Sequence, residues 1–422
     1  MDLEKDRTLL VGIDLGKEVT QVNCFDFTTY EPVPIGRESG KERGYEIPTS
    51  LAVNPARGEW YWADEEVPSR EQVFRITYLL ADVLRDDTIT VGDYAVESYQ
   101  VLKRFLVKVL SILKGYYPRE RIRKLVITLA EKEEKLVAYL QQIGREIGLP
   151  ENALVVQNHR QSYMYYAISQ PKELWVNNVG MFQLEGNRLL YSQIDIDRKT
   201  MPLIIGVVQK DLSDGLDWEG LAEEGAEQIS YAFLNVAGAA LHKQYVTTVY
   251  VTGKGFEREW AGEALKELCT GRRVFRGQNL FTRGACYAAR ELSGEGKLDN
   301  CLFLDEDMIA SNISLRLYRD AEVQDVLMAR AGSLWNEVDA SVDVIPDEED
   351  EIQITVQNVL KREARAHMLS LSGFAGRENK MTRFTIRIRF GDSSTCIVTL
   401  KDNGFGEFCP GSNRVWERHI AI

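Results

Sequence analysis

The chain of 422 residues lacks the patterns that mark several function classes. Its four histidines (His159, His242, His367, His419) are far apart and form no set with metal-ligand spacing, so no metal is expected. The six cysteines (Cys24, Cys269, Cys286, Cys301, Cys396, Cys409) are scattered without a Cys-x-x-Cys pair. They read as reduced structural thiols of a cytoplasmic protein. No apolar run approaches the roughly 18 residues that a membrane helix needs. The opening MDLEKDR is acidic and mixed, without a signal-peptide pattern. Positive charge is in deficit: 51 Lys and Arg stand against 64 Asp and Glu, a net charge of −13. That balance argues against nucleic acid or an anionic membrane as partner, because both reward a basic surface. What remains is ordinary globular composition, 44% hydrophobic and 27% charged, in a chain long enough for two or three domains.

The first part alternates strands with helices, which predicts an α/β domain. Residues 8–15 and 19–27 read as two strands with Gly12 and Gly16 at or near the turn, and Ser50–Val53 as a third. Leu102, Phe105, Leu106, Val109, Leu110 and Leu113 form one apolar helical stripe, with Gly115 placed as a left-handed cap. Leu125–Leu129 is a buried strand. A helix carrying Leu136, Leu140, Ile143 and Ile147 follows, stopped by Gly148 and Pro150, and then the short strand Leu154–Val156. The second half repeats the theme. Strands are expected at 174–176, 182–184 and 189–194, a helical region at 218–242, and a strand at 246–252 ending in Gly253-Lys-Gly255. Helices at 257–269 and after Arg283-Gly-Ala-Cys286 complete it, so the two halves suggest a duplicated two-lobe fold. From about residue 311 the period becomes two. Phe384, Ile386, Ile388 and Phe390, and likewise Ile352, Ile354 and Val356, alternate with polar residues. Breaks at 347–350, Gly373 and Asn403-Gly404 read as turns, which predicts an all-β sandwich.

Several of these segments, taken in order, resemble the DnaK-type seventy-kilodalton heat-shock chaperones of the actin-like ATPase superfamily. Gly12-Ile-Asp-Leu-Gly16 is similar to that family's first phosphate loop, Gly-Ile-Asp-Leu-Gly-Thr-Thr. Leu125–Leu129 with its helix, Gly148-Leu149 and Leu154–Val156 resembles the segment that crosses between lobes. Val249-Tyr-Val-Thr-Gly-Lys-Gly-Phe256 resembles the adenosine loop, and Thr282–Ala289 the helix that closes the second lobe. Asn300-Cys-Leu-Phe-Leu-Asp305 resembles the apolar interdomain linker, with Leu302, Phe303, Leu304 and Asp305 as its core, and the strands after it follow the peptide-binding sandwich. The resemblance implies a ribonuclease-H-like duplicated two-lobed domain over 1–299, a linker over 300–310 and a β-sandwich over 311–422 without a helical lid. Nucleotide contacts would fall on Gly12, Asp14, Gly16, Lys17, Gly253, Lys254 and Gly255, with Asp14 in the metal's water shell. A peptide cleft would use Leu317, Val342 and Ile354, with Asp320 at an arch position that is apolar in the family.

The departures from the family bear on catalysis. Phosphoryl transfer needs positioned charge around the phosphates. The two threonines after the first loop are replaced by Lys17 and Glu18. The catalytic lysine aligns with Val67, and Arg70 is the nearest cation. The family's Asn-Glu-Pro-Thr becomes Gln157-Asn158-His159-Arg160, and the second phosphate loop aligns with Asn177–Phe182, where the aspartate and threonine are lost. The helical insert that clamps adenine is short. The bland reading of the glycine loops is therefore retained turn geometry, and the expected function is a protein-interaction scaffold without ATP hydrolysis or cofactor, with a protein or peptide partner. The alternative is a divergent Mg-ATP-dependent ATPase using Asp14, Lys17, Arg70 and Gly253–Gly255.

Overall fold

The computed structural model describes residues 8–39, 42–65, 72–216, 225–346, 351–370, 381–412 and 414–422. The chain is an α/β region followed by a β-rich one. It divides into two compact units, Met1–Ser192 with Gln209–Leu298 and Gln193–Val208 with Asp299–Ile422.

In the first unit, β1 (Thr8–Leu15) is buried on both faces, as its nearly unbroken apolar run requires. Leu9, Val11, Ile13 and Leu15 enter one core together with α1 (Ser98–Tyr116) and α2 (Glu134–Glu146). Leu10 packs on the opposite side with α6 (Leu280–Arg290). β1 pairs antiparallel with β2 (Val19–Asp26), which pairs antiparallel with β3 (Glu31–Ile35). On its other edge β1 is parallel to β4 (Arg121–Leu129), and β4 is parallel to β5 (Leu154–Asn158). The sheet order is β5-β4-β1-β2-β3, with Ile47–Pro48 also pairing β2.

A second sheet repeats that order. It contains β6 (Asn178–Glu185), β7 (Arg188–Asp197), β8 (Leu203–Asp211), β9 (Val246–Thr252) and β10 (Arg273–Arg276), arranged β10-β9-β6-β7-β8. Again the first strand is parallel to the fourth and the fourth to the fifth. The helices recur too: α2 links the fourth and fifth strands of the first sheet, and α5 (Ala261–Leu268) does so in the second. α3 (His159–Ile168) follows β5 as α6 follows β10.

The stripe on α1 is buried as expected, but Gly115 lies inside the helix. The helix ends instead on Tyr117, whose N–H bonds to the Leu113 carbonyl. Gly148 does take the left-handed conformation (φ +78°) that closes α2, where its N–H donates to the Arg145 carbonyl. Residues 174–176 are not a strand. A short 3-10 turn, Lys172–Leu174, is continued by the Trp175 N–H bonding to the Lys172 carbonyl. The expected helix at 218–242 appears as α4 (Ala226–Leu241), while 217–224 lie outside the described residues. The expected 257–269 helix is shortened to α5, because Lys254–Glu257 forms a 3-10 turn first. Arg283-Gly-Ala-Cys286 sits within α6 rather than ahead of it.

In the second unit, Leu203–Ile205 of β8 pairs in parallel with β11 (Cys301–Phe303). Two further sheets follow. One has the order β13-β12-β15-β16, from β12 (Ser311–Arg319), β13 (Glu322–Ala329), β15 (Glu351–Asn358) and β16 (Glu363–Ser370). The other contains β14 (Asp339–Val344), β17 (Arg383–Asp392) and β18 (Thr395–Phe405), with β19 (Val415–Ala421) pairing β18. Their alternating apolar residues meet in one core that includes Ile313, Leu315, Ile354, Ile386, Ile388 and Val398. Asn403-Gly404 is not a turn but a bulge inside β18: pairing skips from Arg383–Gly404 to Phe384–Asp402, and Gly404 supplies φ +64°. The expected turns at 347–350 and Gly373 lie outside the described residues.

Candidate functional site

The end of β1 carries Asp14, which lies 2.9 Å from the Nε2 of His159, each side chain 16% exposed. His159 opens α3 and is aimed by a capping box. The Asn158 side chain accepts the Gln161 N–H, and the Gln161 side chain accepts the Asn158 N–H. The imidazole lies flat on Phe281 of α6, with centroids 3.8 Å apart and planes 6° from parallel. Beside it, Thr282 Oγ1 donates to Gln21 Oε1 at 2.9 Å, and Gln21 is the cross-strand neighbour of Asp14. Behind it runs a buried polar chain in which Gln157 Nε2 donates to Ser162 Oγ (2.6 Å) and Ser162 Oγ to Thr128 Oγ1 (2.7 Å). These side chains therefore meet the requirement that buried polar groups be bonded.

The glycine loops are used by the fold itself. The N–H of Gly16 donates to the Val19 carbonyl at 3.1 Å, closing the hairpin. A Cβ on Gly12 would stand 2.3 Å from the backbone nitrogen of Cys286, so β1 meets the backbone of α6 directly. Gly253 has φ +101°, and its Cβ would stand 2.2 Å from the Leu184 carbonyl oxygen. Its N–H donates to Gln278 Oε1 at 3.0 Å and its carbonyl accepts from Gln278 Nε2 at 3.2 Å. Gly255 abuts the Leu184 side chain. Lys254 Nζ lies 3.2 Å from Glu18 Oε2. That hydrogen bond, with the charges of Glu18, Glu46 and Glu185, raises the lysine pKa. Lys17 is exposed at the hairpin tip. Lys254 thus sits among carboxylates, the reverse of a phosphate cradle.

The remaining expected residues are dispersed. Val67 and Arg70 lie outside the described residues. Asn158 is the helix cap described above. Asn177 precedes β6 and donates to Thr247 Oγ1 at 3.5 Å. The rest of its expected loop, 178–182, is strand, with Val179, Met181 and Phe182 buried. The turn of that hairpin lies at Gly186 (φ +58°). Within the expected linker, Leu302 and Phe303 belong to β11, and Leu304 is buried beside Ile204, Ala331 and Val359. The Asp305 carboxylate accepts the Asp307 N–H at 2.9 Å. Of the four expected cleft residues, Leu317, Val342 and Ile354 pack in or against the same core, and Asp320 does not. Ile354 is fully buried core, and Leu317 is half-buried in the same sheet. Val342 is half-buried in the other sheet, and Asp320 is exposed at a hairpin tip with φ +52°.

His159, Phe281 and Gln278 were not singled out from the sequence. Asn158 ahead of Gln161 is a readable capping pattern that would have placed His159 at a helix start. Phe281 and Gln278 carry no local signal, because their partners lie far off in the chain. Among the described residues, no three His, Cys, Asp or Glu side chains converge to hold a metal, and no helix is long and apolar enough to cross a membrane.

Residues 31–306 match the family of unknown function DUF5716, C-terminal. The chain belongs to that family. Residues 308–422 match DUF8552, a domain of unknown function, so the boundary between the two matches falls just beyond β11. No curated protein is significantly similar to this DUF5716 member.

Proposed function

We propose that this chain is a degenerate relative of the DnaK-type chaperones, with an actin-like, ribonuclease-H-like duplicated domain and a β-sandwich, working as a cytoplasmic protein-interaction scaffold. The repeated order β5-β4-β1-β2-β3 and β10-β9-β6-β7-β8 supports the duplicated fold. The observation that carries the functional reading is the occupation of the loop groups by internal partners. Asp14 is bonded to a stacked histidine, and both backbone groups of Gly253 are bonded to Gln278. A bound nucleotide would have to break these bonds and enter among Glu18, Glu46 and Glu185, where charge repulsion opposes phosphate. The glycines are accounted for by strand–helix and strand–loop contact. The β-rich unit is the part offered to a protein or peptide partner; nucleic acid and membrane are not expected. Equilibrium dialysis with radiolabelled ATP, paired with a phosphate-release assay, tests the reading. The scaffold requires neither retention nor release above a buffer control. Retention accompanied by steady phosphate release would instead establish the Mg-ATP-dependent ATPase.

A further inference from the structure

β10, the four-residue strand Arg273-Val-Phe-Arg276, ends the second sheet. It pairs with β9 on one side. Its other backbone edge has no backbone partner among the described residues. Arg273, Phe275 and Arg276 are exposed. Phe275 keeps one face on the Tyr250 ring, with centroids 5.5 Å apart, yet is 40% exposed. At the start of the strand lies a cavity of about 460 Å³ whose wall includes Thr247, Arg272, Arg273 and Glu173. Arg273 Nη1 donates there to the Glu173 backbone carbonyl at 3.4 Å. Among the described residues, none of Arg272, Arg273 and Arg276 is paired with a carboxylate, and the Arg272 side chain has no hydrogen-bond partner. Three guanidinium groups without a counter-charge stand out in a chain of net charge −13. Charges on an edge strand keep unwanted strands from pairing. Arginines repel a basic strand and leave a neutral one with nothing to offer them, whereas a carboxylate meets their planar donors in pairs.

We propose that the free edge of β10 takes up an extended acidic segment of a partner protein as an added strand. The ladder supplies main-chain hydrogen bonds, and the side chains select the sequence. Carboxylates alongside Arg273 and Arg276 bracket a central apolar pair, which covers the open side of Phe275. A further carboxylate ahead of Arg273 enters the cavity toward Arg272. This surface is separate from the β-rich unit to which the scaffold reading assigns a partner, and it stands whatever the outcome for nucleotide.

The test is fluorescence polarisation of the full-length protein with a fluorescein-labelled peptide, Gly-Glu-Glu-Val-Val-Glu-Glu-Gly. Its symmetry allows parallel or antiparallel pairing. Saturable binding that weakens with added salt is expected, since exposed charges are screened. The lysine counterpart, Gly-Lys-Lys-Val-Val-Lys-Lys-Gly, should not bind. A third peptide carries N-methyl groups on both valines. Successive N–H groups of a strand point to opposite edges, so one methyl meets β10 in either direction and binding should be lost. Reversing both exposed charges, Arg273→Glu with Arg276→Glu, should weaken binding by about tenfold. No binding of the acidic peptide would overturn the proposal. So would equal binding of the lysine peptide, or undiminished binding of the methylated one, which would mean charge attraction without an added strand. Should the double variant fail to fold, the three peptides on the wild-type protein decide.

Discussion

Replacing Gly12 by alanine places one methyl group where α6 has its backbone. The new Cβ would stand 2.3 Å from the Cys286 nitrogen, about 1.1 Å inside the 3.4 Å at which ordinary contact begins. The next nearest atoms, Cys286 Cα and the Thr282 carbonyl oxygen, are both at 2.7 Å. All three are backbone atoms, so no side chain can rotate aside, and α6 must move back from β1. The cluster there, Leu10, Val126, Ala285, Cys286 and Ala289, is buried. A gap of roughly 1 Å forfeits about a quarter to a half of the attraction between facing atoms. Overpacking of this kind costs about 1–3 kcal/mol, and a backbone clash belongs at the upper end, about 3 kcal/mol. For a domain of this size that lowers Tm by roughly 6–12 °C. Differential scanning fluorimetry measures it, with Gly115→Ala as control. Gly115 is exposed inside α1 with nothing within 4 Å of its Cβ position, so alanine there should stabilise by about 0.5–1 kcal/mol. If Gly12→Ala melted no lower than wild type, the claim that this glycine serves packing would be refuted.

Other consequences follow from particular contacts. Hydrogen bonds from Lys103 at 2.6 Å, then from Gln142 at 2.9 Å, hold the Glu146 carboxyl down at about 2, against 4.5 when free. The native pKa is the lower one, so the unfolded chain binds more protons in that window, and stability contributed above pH 4.5 is lost as pH falls toward 2. Urea midpoints should therefore fall less steeply over that window in Glu146→Gln than in wild type; equal slopes would count against the network. Just past β11, the Leu304 N–H donates to the Ile205 carbonyl at 2.8 Å. Hydrogen exchange at Leu304 should be slow, as in a strand; exchange as fast as at an exposed loop would count against this pairing.

Much of the architecture was legible because it is written in local periodicity. The both-faces-buried run of β1, the stripe on α1, the cap at Gly148 and the period-two strands after residue 311 each follow from nearest neighbours along the chain. The failures have physical causes. Asn403-Gly404 supplies positive φ equally to a turn or a bulge, and only pairing with Arg383 and Phe384 decides between them. The expected second phosphate loop, Asn177–Phe182, fails because its one glycine, Gly180, is packed against Tyr191 within a strand, while the turn belongs to Gly186. The candidate site was the least legible part. Asp14 and His159 are 145 residues apart, and Gln278 reaches Gly253 only because β9 and α6 bring them together. Such pairings leave no trace in local spacing.

The central claim, that Gly12-Ile-Asp-Leu-Gly16 keeps the hairpin of a phosphate loop without its ligand, is met most directly by thermal shift with Mg-ATP. A working site at a hundredfold excess of ligand over Kd gains about 2.7 kcal/mol. In a domain of this size that raises Tm by roughly 5–10 °C. The account predicts no rise at millimolar Mg-ATP, in wild type or in Asp14→Ala. A rise of several degrees in wild type that Asp14→Ala abolishes would contradict it.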